Sequence, residues 1–359
     1  MIVYSDLGIG GVQRKIVDIV NRLHELPQYR SYTVTILLER VGANTMIMNL
    51  RNPNVTIHVK PFVFIPFWMH IAYFALITDS VCILSFLAFP AVHVFKATRV
   101  LFWKKFRVIH SEDVITSHAY RRNDFTGKIN SQIHDALSRG DQIIVPSRPI
   151  AEDLIRSYHI DRKRITLIPN WTTISSSQAK ERHKTIDCVY VGRFDKEKRL
   201  PLLISAIRHI SRVSLISCVL IGDGKEKSKI QSMIHALHLH QRVHIHRPTM
   251  RIVTELQRAR LALYASQSEG VPMFFLEAMA MGLPIVTMDF PGVKDIVKHG
   301  KTGYVCTSER QLAEKIQTLL QNNHLRKSMG AYGQRVARVR YTAANIDRYL
   351  AEMFIPARP

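Results

Sequence analysis

Short apolar runs alternate, along nearly the whole chain, with longer stretches whose apolar residues recur at helical spacing. Ile2-Val3-Tyr4, 142–145 and 188–191 are rich in β-branched and aromatic side chains, which fit a pleated surface, and read as strands. The same pattern predicts strands at 33–38, 55–59, 80–85, 108–110 and 166–168 in the first half. In the second half it predicts them at 217–221, 243–246, 261–264, 285–287 and 303–306. Helices fill the intervals, as the spacing of Ile230, Met233, Ile234 and Leu237 illustrates. Alternation of this kind implies an α/β chain with parallel sheets covered by helices on both faces.

The alternation breaks once. Residues 171–184 are rich in Ser, Thr, Gln and Lys and carry no period, which divides the chain into 1–171 and 172–341, with a last helix within 342–359. Two domains also suit a length of 359 residues, more than one core ordinarily organises.

One apolar stretch admits two readings. From Phe62 to Phe95 the only formal charge is Asp79, and Lys60, Lys96, Arg99, Lys104 and Lys105 flank it. A membrane span would have to carry Pro66, Pro90 and a central carboxylate, which is expensive in lipid. The favoured reading is soluble: a helix over 68–78, a buried strand over 80–86 and a helix over 91–103, with an apolar patch open to an interface.

Charge narrows the partners. Lys and Arg number 50 against 28 Asp and Glu, a net charge of +22, which favours anionic membrane surfaces, polyanions or phosphorylated substrates. The basic residues are spread along the chain and form no recognition module, so nucleic acid is not expected. Cys82, Cys188, Cys218 and Cys306 lack metal-ligand spacing and sit mostly in apolar strand-like runs, so buried free thiols are expected. Met1 leads straight into the first strand without a cleavable signal pattern, and a cytoplasmic location is expected.

Candidate chemistry gathers in three loops. Ser268-Glu269-Gly270-Val271-Pro272 joins the strand at 261–264 to an apolar run, 273–281, whose one charge is Glu277. Strand, polar turn and helix present backbone N–H groups and a positive helix end to an anion, although Pro272 offers no N–H. A carboxylate inside a buried helix needs donors such as sugar hydroxyls; taken alone, the pair suits a solvated turn and an exposed helix position equally well. Gly8-Ile9-Gly10-Gly11-Val12-Gln13 follows the first strand and permits close approach of backbone to phosphate. It lacks the third glycine and the acidic partner of the dinucleotide fingerprint, and a simple turn is the alternative. In Gly192-Arg193-Phe194-Asp195-Lys196-Glu197-Lys198, Arg193 can grip phosphate bidentately and Lys198 adds a compact charge; a solvated charge run is the other reading.

The run from Ser268 to Val286, with the glycine loops of 292–304 after it, resembles the paired-glutamate signature of retaining glycosyltransferases with the GT-B fold, the group called glycosyltransferase family 4. The resemblance implies two Rossmann-like, doubly wound parallel-sheet domains facing a cleft, the first binding the acceptor and the second the nucleotide sugar. The last helix would cross back to the first domain. It further implies transfer of a hexose or N-acetylhexosamine from a UDP- or GDP-linked sugar, with retained configuration and no essential metal. By position, Glu269 would meet the transferred sugar, Glu277 the ribose, and Arg193 and Lys198 the diphosphate. Gly10, Gly11, Ser268, Gly270, Met273 and Phe274 complete the implied donor contacts. On the acceptor side, His118 and the Ser111-Glu112 pair are equal candidates; Asn170 matches an interdomain motif and Gly222-Asp223-Gly224 a turn. Three places depart from the pattern: Arg247-Pro248 where a glycine is usual, Asp295 for Glu, and Val271-Pro272 for Phe-Gly. Basic charge and the 62–95 stretch point to a lipid-linked saccharide or surface-polysaccharide precursor as acceptor, at the inner face of an anionic membrane. A non-catalytic subunit of the same fold and a soluble glycogen- or sucrose-type synthase are the alternatives.

Overall fold

The structure is a computed structural model that describes residues 1–40, 45–60, 64–121, 127–178, 184–249 and 251–355; Phe62 and part of the 171–184 break lie outside them. The chain forms two compact units, Met1–Pro169 with Ala344–Pro359, and Asn170–Ala343.

In the first unit, β1 (Ile2–Tyr4), β2 (Val34–Leu38), β3 (Val55–Val59), β4 (Cys82–Phe86), β5 (Arg107–Ser111), β6 (Gln142–Val145) and β7 (Ile165–Leu167) form a seven-stranded sheet. Its order is β3-β2-β1-β4-β5-β6-β7, parallel throughout. The second unit holds a six-stranded parallel sheet of β8 (Ile186–Val191), β9 (Cys218–Ile221), β10 (Val243–His246), β11 (Ala259–Tyr264), β12 (Ile285–Met288) and β13 (Gly303–Cys306). Its order is β10-β9-β8-β11-β12-β13. Both sheets are Rossmann-like, and every strand read from the hydrophobic pattern forms, with ends shifted by a residue or two. In each, strand order reverses once, beside β1 and beside β8. Loops on either side of such a reversal diverge and leave a crevice beyond the carboxyl ends of the strands.

The apolar stretch resolves as α2 (Phe67–Ile77), β4 and α3 (Ala88–Val100). Every β4 residue is buried because the strand lies in the middle of the sheet. Among the described residues no helix is long and apolar enough to cross a membrane. All four cysteines are buried and free.

Helix α1 (Gly11–Glu25) and the Ala344–Phe354 helix pack together within the first unit. Arg22 grips Asp347 with two bonds, of 2.6 and 2.9 Å. Lys15 is buried, a position that requires a counter-charge; Asp113 supplies one at 2.9 Å and the Ser111 hydroxyl lies at 3.2 Å. The Tyr349 ring covers the same ammonium at 5.0 Å.

Candidate functional site

The reversal in the second sheet sets the loop after β8 beside the loop after β11, and three consecutive residues stitch the two together. The Glu197 carbonyl accepts from the Gln267 N–H (2.9 Å) and the Ser266 hydroxyl (3.3 Å). Arg199, left-handed at φ 45, turns its guanidinium onto the carbonyls of Ala265 (2.8 Å) and Ser266 (2.6 Å). A left-handed non-glycine residue costs about 1–2 kcal/mol, which two charge-assisted bonds offset. Lys198 stands between these two anchors, buried, and its ammonium bonds the Glu269 carboxylate. Tyr264, the last residue of β11, donates to the same carboxylate oxygen at 3.0 Å.

Aromatic packing fixes those donors. Tyr264 stacks on Tyr190 with ring centroids 5.4 Å apart and meets the edge of Phe275 at 5.1 Å. The Tyr190 hydroxyl donates to the Arg193 carbonyl at 2.9 Å. Burial first, then the Glu269 charge, holds both phenols well above their ordinary range, so both keep their protons. The Glu269 carboxylate therefore has an ammonium and a phenol held in place around it before any ligand arrives.

Arg193 is exposed and pairs with Asp195 (3.2 Å) and Glu197 (3.3 Å). Exposed pairs contribute at most about 1 kcal/mol each, less than a bidentate guanidinium–phosphate contact, so an incoming anion can take this side chain over. Its loop is shaped by two glycines on the β9 side. A Cβ on Gly222 would lie 1.9 Å from the Gly192 carbonyl oxygen, and one on Gly224 (φ +153) would lie 2.7 Å from that of Phe194. The Phe194 N–H donates to the Asp223 carbonyl at 2.8 Å and closes the turn.

After Glu269 the chain enters the Met273–Ala280 helix with Pro272 at its N-cap position. Gly270 and Phe274 are buried, and Ser268 and Met273 half-buried. Glu277 is buried within the helix, so the exposed-position alternative does not apply. The sequence reading missed Tyr190, Arg199 and Tyr264. Both tyrosines read as ordinary strand core; the one available signal was a tyrosine at the carboxyl end of a strand that leads into the glutamate turn.

The remaining candidates belong to the first unit. Gly10, extended at φ −175, precedes α1, and its carbonyl accepts the Arg14 N–H at 3.0 Å; Gly11 is the first helical residue. Glu112, just after β5, is fully buried. Burial and then the Asp113 charge hold its carboxyl well above the usual range. His118 is exposed on the short Thr116–Arg121 helix. His110, buried 2.6 Å from the Ser85 hydroxyl, is pushed down by burial to about 4 and stays neutral. Among the described residues no group of three or more His, Cys, Asp or Glu is placed to hold a metal.

Comparison with known proteins follows the same division. Residues 172–336 match the family described as Glycosyl transferases group 1, and residues 9–175 match Glycosyltransferase Family 4. An N-acetyl-alpha-D-glucosaminyl L-malate synthase of Bacillus anthracis is 24% identical over 55% of this chain and 51% of its own length. A Campylobacter jejuni N-acetylgalactosamine-N,N'-diacetylbacillosaminyl-diphospho-undecaprenol 4-alpha-N-acetylgalactosaminyltransferase is 23% identical over 64% of each chain. The chain thus spans between half and two thirds of the length of these relatives. The structure of Anabaena HepE in complex with UDP and glucose has a TM-score of 0.83 at 17% identity, covering 98% of this chain and 97% of that one, a likeness of fold.

Proposed function

The chain belongs to the glycosyltransferases of the GT-B fold, and from that premise we propose that it transfers a sugar, with retained anomeric configuration, from a nucleoside-diphosphate donor to a lipid-linked saccharide or surface-polysaccharide precursor. The observation that carries this reading is the pairing of buried Lys198 with half-buried Glu269 at the strand-order reversal, braced by Tyr264 and by the Arg199 stitch.

Cleaving the sugar–phosphate bond builds positive charge at the anomeric carbon and negative charge on the departing diphosphate. Lys198 and Arg193 offset the negative charge as it develops, in a site where Lys198 is already desolvated. Glu269, held from behind by Lys198 and Tyr264, accepts bonds from sugar hydroxyls beside the cationic centre. Glu277, buried in the helix that follows the Glu269 turn, takes the ribose hydroxyls. UDP is the favoured nucleotide because the HepE complex holds it. The Campylobacter relative, named for a diphospho-undecaprenol-linked acceptor, supports the lipid-linked class, and both relatives are named for N-acetylated aminosugars.

Glu277→Ala tests the ribose role. It raises the donor KM by about tenfold to a hundredfold, as expected for a lost charge-assisted contact of roughly 1.5–3 kcal/mol, and leaves the acceptor KM in place. Steady-state kinetics with a panel of nucleotide sugars and mass detection of product reads both constants. An unchanged donor KM removes Glu277 from the donor site.

A further inference from the structure

Helix α2 is apolar on both of its faces. Phe67, Ile71 and Ala75 are buried against the sheet, while Met69, Tyr73, Leu76 and Ile77 form an outward stripe at the same spacing, each 46–57% exposed. Surface helices ordinarily present charge on that side. The stripe continues past the helix. Lys104 caps the end of α2 by donating to the carbonyls of Ala75 (3.1 Å) and Leu76 (2.7 Å), which brings the 101–105 turn against it. That turn displays Phe102, 84% exposed, and Trp103, 59% exposed, with their rings edge to face at 5.2 Å. Arg99, whose guanidinium lies over the Phe95 ring at 5.8 Å, and Lys105 are exposed and flank this turn in the chain; Asp79 is the acid at the same end of the helix. Both helices run antiparallel to the parallel strands they precede, so the patch lies at the starting ends of β4 and β5, away from the carboxyl ends of the strands.

We infer that this face of the first unit docks the protein on an anionic lipid surface, with Phe102 and Trp103 as interfacial anchors and Arg99 and Lys105 facing the headgroups. Two exposed aromatic side chains on one tight turn, with exposed Arg99 and Lys105 flanking that turn in the chain, match the layered chemistry of a membrane interface, in which apolar chains lie beneath anionic heads. A chain with a net charge of +22 adds long-range attraction of the same sign. The inference stands on this surface alone and not on the donor chemistry proposed above.

Flotation of the full-length protein with vesicles tests it. The wild type binds equimolar phosphatidylcholine–phosphatidylglycerol vesicles at low salt and ignores pure phosphatidylcholine. Phe102→Ser/Trp103→Ser, substitutions at exposed positions, weakens that binding by about tenfold or more. Arg99→Glu/Lys105→Glu weakens it and flattens its salt dependence. UDP affinity stays unchanged in both variants, which separates failure here from failure of the donor reading. The inference is overturned if the wild type ignores the anionic vesicles, or if the Phe102→Ser/Trp103→Ser protein binds them equally well. It is also overturned if sedimentation shows that these substitutions dissolve a dimer while vesicle binding persists, which would assign the patch to a second copy of the chain.

Discussion

Replacing Lys198 with alanine lowers the turnover of sugar transfer by about a hundredfold to a thousandfold, the range for loss of one preorganised group that stabilises developing charge. Two effects combine. The departing diphosphate loses a buried cation, and Glu269 loses the stronger of its two partners and keeps only the Tyr264 hydroxyl. Removing one member of a buried pair also destabilises a protein, by about 3–5 kcal/mol when the remaining charge is fully enclosed. Glu269 is only partly enclosed and retains a donor, so the loss of stability here is smaller than that range. Lys198→Met/Glu269→Gln separates the two effects. It leaves no unpaired charge and recovers the melting temperature, while turnover stays low. Thermal unfolding and single-turnover rates on both variants check this, and a double variant that recovers turnover would reduce the pair to a structural role.

Gly222→Ala is expected to destabilise the second unit by about 2–4 kcal/mol, through overpacking against backbone that cannot move aside. The added Cβ would lie 1.9 Å from the Gly192 carbonyl oxygen. Hydrogen bonds from the Gly192 N–H to Ile221 and from the Phe194 N–H to Asp223 hold that backbone in place. At roughly 2–4 °C per kcal/mol for a unit of this size, the second unit's melting temperature falls by about 5–15 °C. Gly300→Ala is the contrast. It meets nothing within 4 Å and carries only the strain of φ +75, about 1–2 kcal/mol. Differential scanning calorimetry of the two variants ranks them, and equal losses would show that loop contact is not what requires glycine at 222.

The fold was legible because its signal is local. β4, buried on every residue, announces itself as an unbroken apolar run, and Gly292, Gly300 and Gly303 mark the loops around β13. Helix starts were less readable: α3 begins at Ala88, three residues before the expected start, since Pro90 is tolerated in a first turn. Resemblance at the level of motif nominated Lys198 and Glu269, but their contact was hidden. They lie 71 positions apart and meet only because the sheet order reverses between β8 and β11. Tyr264 was hidden for another reason. A phenol at the end of a buried strand has the same pattern as core packing, and only the structure shows its hydroxyl aimed at a carboxylate. Arg199 lies one residue beyond the Gly192–Lys198 run and drew no reading of its own, although its left-handed backbone closes the loop onto Ala265 and Ser266.

Calorimetric titration of the full chain with UDP and with GDP tests the nucleotide-sugar site most directly. The proposed site predicts saturable heat with at least one of the two nucleotides, in the micromolar range, and a loss of affinity of about tenfold or more in Arg193→Ala/Lys198→Ala, whose guanidinium and ammonium would hold the diphosphate. Absence of heat with both nucleotides, or equal affinity in the double variant, would contradict it.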